Sequence, residues 1–123
     1  DRRRITVTDR GGQPSVTKYE RIASSQSFSL VRCRLITGRT HQIRVHLSAK
    51  GWPIVGDALY GRKRRAGMPV PLDEVAAAFP RQALHAWRLS LRQPVTNAAI
   101  EIVAPPPDDM TQLAAALGVP IDA

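Results

Sequence analysis

The 27 residues from Leu35 to Gly61, LITGRTHQIRVHLSAKGWPIVGDALYG, constrain the fold most, because they hold a strand end, a helix and a tight turn in one unit. Thr37-Gly38 breaks a preceding strand pattern, and Thr40 stands where an N-cap hydroxyl would serve a helix over His41 to Lys50. Gly51 should end that helix, with Pro53 shortly after. Ile43 and Leu47, four apart, are expected to face a core, while Arg39, His41, Arg44 and His46 mark its polar approaches. A cationic surface beside a helix N-terminus suits an anionic ligand.

Alternation around this unit predicts strands. Arg3 to Thr8 and Ser15 to Ala23 read as a hairpin around a turn at Asp9 to Pro14. From Phe28 to Ile36 the chain alternates, with Val31 and Cys33 toward one face and Arg32 and Arg34 toward a wetter one. Asp57 to Pro71 reads as a loop, Leu72 to Phe79 as a short helix and Gln82 to Leu91 as another strand. Ala99 to Val103 follows as a strand, and Met110 to Leu117 as a helix ended by Gly118. The expected class is α+β, a mixed, mostly antiparallel sheet with a few short helices, in a single domain over 1–123.

Charge is unevenly placed. Residues 1–65 carry fifteen Lys/Arg against four Asp/Glu, while residues 66–123 carry three against six. Fifteen of the eighteen cations are arginine, whose planar fork holds phosphate and stacks on bases. This points to nucleic acid, against the alternative of a merely solvated basic face. The single Cys33 excludes an internal disulfide and reads as a small buried hydrophobe, in keeping with a reducing, cytoplasmic setting. No apolar run approaches the roughly 20 residues that span a bilayer, so no membrane partner is expected. His41 and His46 are five apart, whereas a helical zinc pair needs a spacing of four and a third ligand, so no metal is expected.

TGRTHQIRVHL at 37–47, G-x-PIVGD-x-x-YG at 51–61 and RQALHAWRLSL at 81–91 together resemble the RluA/RluD-type family of RNA pseudouridine synthases. Large-subunit ribosomal enzymes are the nearest match. The likeness continues through APPPDDM at 104–110 and the RRRITVT and VTKYERI strands, so it covers nearly the whole chain. It implies the C-terminal portion of the pseudouridine synthase fold, an RNA partner of ribosomal type, no cofactor, and isomerisation of uridine to pseudouridine.

The resemblance also implies roles. Arg44 matches the family arginine that pairs with a catalytic aspartate, the alternative being an arginine that merely snorkels to solvent. Arg39, His41 and Gln42 are candidates for RNA contact, with loop bracing, capping or packing as alternatives. Arg62, Lys63, Arg64 and Arg65 are candidates for gripping phosphate. Asp57 is expected to stabilise the turn after the helix rather than act as nucleophile, and Tyr60 to pack there. Core packing is expected for His85 and Trp87.

Family members carry the aspartate in an Arg-Leu-Asp segment upstream of the TGRTHQIR block, with a site tyrosine between, and neither segment occurs in this sequence. The expectation is therefore a C-terminal piece of a longer enzyme, inactive alone, in which Arg44 is exposed, takes another acid or costs stability. Self-association through the uncovered face is expected as well. A non-catalytic RNA-binding module on the same scaffold is the alternative function. A DNA-binding domain has no recognition helix or metal framework in its favour.

Overall fold

A computed structural model describes residues 2–8, 14–25, 27–38, 41–61 and 70–121. Three strands, Arg2–Thr8 (β1), Pro14–Ser24 (β2) and Ser29–Leu35 (β3), form an antiparallel sheet in the order β1-β2-β3. The register runs Ile5↔Thr17↔Leu35 and Arg4↔Lys18↔Arg34, and a bulge between Arg21 and Ala23 leaves Ile22 unpaired. Helix Gln42–Ala49 (α1) packs on one face of this sheet, and helix Val70–Ala78 (α2) follows. Arg88–Arg92 (β4) and Ala99–Val103 (β5) form a second antiparallel pair, and Asp108–Ala116 (α3) is the last helix.

The α+β, mostly antiparallel architecture agrees with the sequence. Among the described residues, however, the strands form two separate sheets with every pairing antiparallel. The predicted turn at 9–14 lies almost wholly outside the described residues. The strand expected over 82–91 is confined to 88–92, because the preceding backbone is bonded elsewhere: Ala83 donates its N–H to the Val55 carbonyl at 2.8 Å. That bond ties the RQALHA segment to the PIVGD turn.

Two apolar clusters hold these parts together. Ile5, Tyr19 and Leu47 are buried between sheet and α1, with Val31, Cys33, Ile43 and Ile54 around them. Leu113, Ala114, Leu117 and Val119 gather Ala23, Leu30, Val55, Phe79 and Ala83 into the second. β2, β3 and the 54–55 segment contribute to both, so the clusters share a scaffold. Burial raises the Cys33 thiol to about 11, keeping it protonated and unreactive.

Both glycine stops occur as the sequence predicts. Gly51 has φ 83° and donates to Ser48 at 2.9 Å, while Trp52 donates to Leu47 at 2.9 Å; this is a Schellman end. Gly118, at φ 81°, repeats it with Ala115, and Val119 with Ala114. The start of α1 differs from expectation. Its N-cap position is His41, not Thr40, in a left-handed conformation (φ 53°) with no side-chain cap; Thr40 itself lies outside the described residues.

Candidate functional site

The reason for that abrupt entry lies one residue on. Gln42 is buried, donating its amide Nε2 to the Val16 carbonyl at 2.8 Å and to Thr17 Oγ1 at 3.0 Å. Its Oε1 accepts from Thr37 Oγ1 at 2.7 Å, and Thr37 Oγ1 in turn accepts the Val16 N–H at 2.9 Å. Thr17 Oγ1 and His46 Nδ1 share a further hydrogen bond of 2.8 Å, both residues being wholly buried. One polar chain therefore locks α1 onto β2. Gln42 is thus a brace whose amide is committed inside the protein rather than offered to RNA.

His46 also departs from expectation. It lies in the core at 2% exposure instead of on a polar approach, and burial lowers its pKa, so it is neutral in the fold. The buried face of α1 is Gln42, His46 and Leu47, with Ile43 at its margin. Periodicity of apolar residues alone could not reveal this, because two of the three inward residues are polar and become tolerable only when bonded to Thr17 and Val16.

On the other side of α1 stands Arg44. Its Nε donates to Asp57 Oδ2 at 2.9 Å and its Nη2 to Asp57 Oδ1 at 2.8 Å, a two-point fork. Asp57 Oδ1 also accepts the N–H groups of Leu59 and Tyr60, each at 3.1 Å, which closes the turn. Asp57 therefore has the expected turn role and a second one besides, as the acid that Arg44 takes. Its side chain has no exposed surface, whereas that of Arg44 keeps 15%.

The Tyr60 ring lies 5.1 Å from the Arg44 guanidinium, and the His41 ring meets it edge-on at 5.9 Å between centroids. His41 Nδ1 and Tyr60 Oη are 3.3 Å apart. Tyr60 is packed in the turn as expected, and its ring there also meets the Arg44 guanidinium.

Five N–H groups leave a guanidinium in its plane, and Asp57 takes only those on the Nε side. The Nη1 edge meets no acceptor among the described residues, so a second carboxylate or a phosphate can be received there. The pairing raises the Arg44 pKa through the hydrogen bond to Asp57. The same bond, with the Tyr60 and Leu59 N–H groups and against the effect of burial, holds the Asp57 carboxyl at about 2.

A pH effect follows. Asp57 titrates near 3.8 when unfolded and near 2 when folded, so the unfolded chain binds more protons between those values. Its contribution to stability is whole above about pH 4 and fades as the pH falls toward 2. Urea midpoints between pH 2 and 5 should show a steeper acid loss in the wild type than in Asp57→Asn. Parallel acid limbs would contradict the assignment.

Arg39 and Arg62, Lys63, Arg64 and Arg65 lie outside the described residues. Of the expected site residues, His41 and Arg44 come together around Tyr60, and Gln42 goes to the opposite, buried side. His85 and Trp87 are not core residues. His85 Nε2 lies 2.9 Å from the Ala104 carbonyl, and half-buried Trp87 is covered by the Arg32 and Arg88 guanidinium groups at 4.7 and 4.8 Å. Among the described residues no cluster of His, Cys, Asp or Glu has a metal-binding arrangement, and no helix is long and apolar enough to cross a membrane.

A family model described as RNA pseudouridylate synthase matches residues 1–49. The chain is 43% identical over 108 residues to the ribosomal large subunit pseudouridine synthase D of Vibrio parahaemolyticus, covering 86% of this chain and 33% of that protein. It is 45% identical over 119 residues to the corresponding protein of Xylella fastidiosa, covering 95% of this chain and 36% of the relative. In fold it is similar to human RNA pseudouridylate synthase domain containing 4, with a TM-score of 0.76 at 24% identity, over 100% of this chain and 58% of that one. The chain belongs to the RNA pseudouridylate synthase family, of the RluA/RluD type. It spans about one third of the length of the curated relatives it matches.

Proposed function

We propose that the chain is part of an RNA pseudouridine synthase acting on uridines of large-subunit ribosomal RNA, to which it contributes an oriented arginine and an RNA-binding wall. The observation that carries this is the geometry of Arg44: one edge of its guanidinium anchored by Asp57, the Tyr60 ring 5.1 Å away, and the Nη1 edge open among the described residues. In the reaction the bond from uracil N1 to ribose C1′ breaks, the base turns, and C5 bonds to C1′. The C5 hydrogen leaves as a proton and N1 takes one up, so the product is an isomer of uridine and there is no net redox change or hydrolysis.

By family resemblance the attacking group is an aspartate carboxylate supplied from outside this chain, which makes the step nucleophilic catalysis without metal or organic cofactor. The open edge of Arg44 would hold that carboxylate by paired N–H donors. Because Asp57 already balances its charge, Arg44 acts on the second acid mainly by direction and hydrogen bonding, more than as a bare cation. Extruding the uridine costs a few kcal/mol, which contacts to phosphate and base must offset. Arg39, His41 and the Arg62 to Arg65 run are the residues to which this reading assigns those contacts.

The reading includes a cytoplasmic location, residues 1–123 acting within one domain, and inactivity of the chain by itself. It also includes self-association through apolar surface left uncovered, such as the β4–β5 face on which Leu89, Ile102 and Leu91 are 55%, 52% and 39% exposed. A strictly monomeric sedimentation profile at high concentration would count against that part. The enzymatic reading is tested with the full-length protein on large-subunit ribosomal RNA carrying tritium at uridine C5. Release of tritium to water is expected; RNA binding without release would favour a non-catalytic RNA-binding module on this scaffold.

A further inference from the structure

The face of the three-stranded sheet turned away from α1 carries its own pattern. Ile5, Thr17, Tyr19 and Cys33 point toward the helix, so the residues that alternate with them point outward. There the register sets Arg4 opposite Lys18 and Lys18 opposite Arg34, a row of three cations across β1, β2 and β3. All three are exposed, and no carboxylate among the described residues pairs with any of them. Like charges directly opposite one another destabilise a sheet, so this row opposes folding unless an anion lies across it.

The next row on the same face extends the pattern. Arg32 stands opposite Glu20, their charged ends only loosely joined at 3.7 Å, and lays its guanidinium on Trp87 at 4.7 Å. Arg88 covers the same ring at 4.8 Å and reaches Glu101 at 3.5 Å. The two arginine side chains remain 54% and 50% exposed. Guanidinium groups placed over an indole and half open to solvent offer a surface on which an unpaired base can stack.

We propose that this outer sheet face is a second RNA contact, separate from the Arg44 cluster, gripping a single-stranded segment that flanks the target uridine. Arg4, Lys18 and Arg34 take its phosphates, and the Arg32–Trp87–Arg88 stack takes a base. The choice of RNA as the polyanion rests on the pseudouridine synthase reading. The charge row and the stack call for a polyanion with flat unpaired bases, which a lipid surface does not offer.

The test uses the full-length protein and a 5′-labelled oligouridylate of about 20 nucleotides, with affinity read by fluorescence anisotropy across a salt series. Replacing two phosphate-binding cations (Lys18→Gln with Arg34→Gln) should weaken binding at least about tenfold at moderate salt and flatten the slope of log K against log salt by about 1.4. Arg34→Lys should retain most of the slope. Arg32→Gln with Arg88→Gln should weaken binding to oligouridylate more than to an abasic strand of the same length. Unchanged affinity and slope in the Lys18/Arg34 variant would overturn the proposal, as would equal loss on both strands in the Arg32/Arg88 variant. Tighter binding to vesicles containing phosphatidylserine than to oligouridylate would overturn it too. Failure of tritium release by the full-length protein would instead refute the enzymatic reading, while the anisotropy result still decides the sheet face.

Discussion

Arg44→Lys in the full-length protein should lower kcat for uridine isomerisation by about 100-fold or more, the range seen when one preorganised donor to a reacting group is lost. KM and RNA affinity should change by no more than a few-fold. Lysine keeps the charge but not the planar fork, so it cannot bind Asp57 through two parallel bonds and present a second pair of donors. It also removes the guanidinium that lies 5.1 Å from the Tyr60 ring. A role in structure alone would lower the folded fraction without lowering turnover per folded molecule. Rates normalised to folded protein separate the two, and an unchanged normalised kcat would remove Arg44 from the chemistry.

The second large effect concerns stability. Gly56→Ala should destabilise the fold by about 3 kcal/mol or more, combining backbone strain with a steric overlap. Gly56 has φ 79°, a conformation costly for alanine, and an added Cβ would overlap the backbone carbonyl of Arg81 and press on the Phe79 ring. That carbonyl belongs to the segment held against the turn by the Ala83 to Val55 bond, so relief would pull the RQALHA segment away. Asp57 follows immediately in the chain, and loosening the turn should also release the anchor of Arg44. Urea unfolding reports the loss; an unfolding free energy within about 0.5 kcal/mol of wild type would show that the turn is not packed in this way.

What could be read in advance follows from how local each signal is. The alternation of Arg32 and Arg34 with Val31 and Cys33 specified the faces of β3, because a strand assigns its faces residue by residue. Gly51 and Gly118 identified two helix ends, because a left-handed stop is a property of one residue. The burial of Gln42 and His46 was not legible, since it depends on Val16 and Thr17 more than twenty positions away. Likewise the strand expected over Gln82 to Leu91 was shortened by the bond from Ala83 to Val55, which no local pattern records.

The site shows the same division. The family resemblance singled out Arg44, and Asp57 was visible as the only acid within the motif, but their pairing needed the turn to bring them together across thirteen positions. Tyr60 was expected to pack in its turn, and only the folded turn brings it against Arg44 and His41. Histidine is among the non-glycine residues that enter the left-handed region more readily, but that His41 does so here, directly before the buried Gln42, was not legible from the sequence.

On the proposed function, the Arg44 guanidinium, fixed by Asp57, serves uridine isomerisation in ribosomal RNA. The most direct measurement of this is a map of pseudouridines in large-subunit RNA from cells lacking the full-length gene, complemented with wild type or with Arg44→Ala. Specific pseudouridines should disappear on deletion, return with wild type and stay absent with Arg44→Ala at equal protein level. A full set of pseudouridines after deletion, or their return with Arg44→Ala, would contradict it.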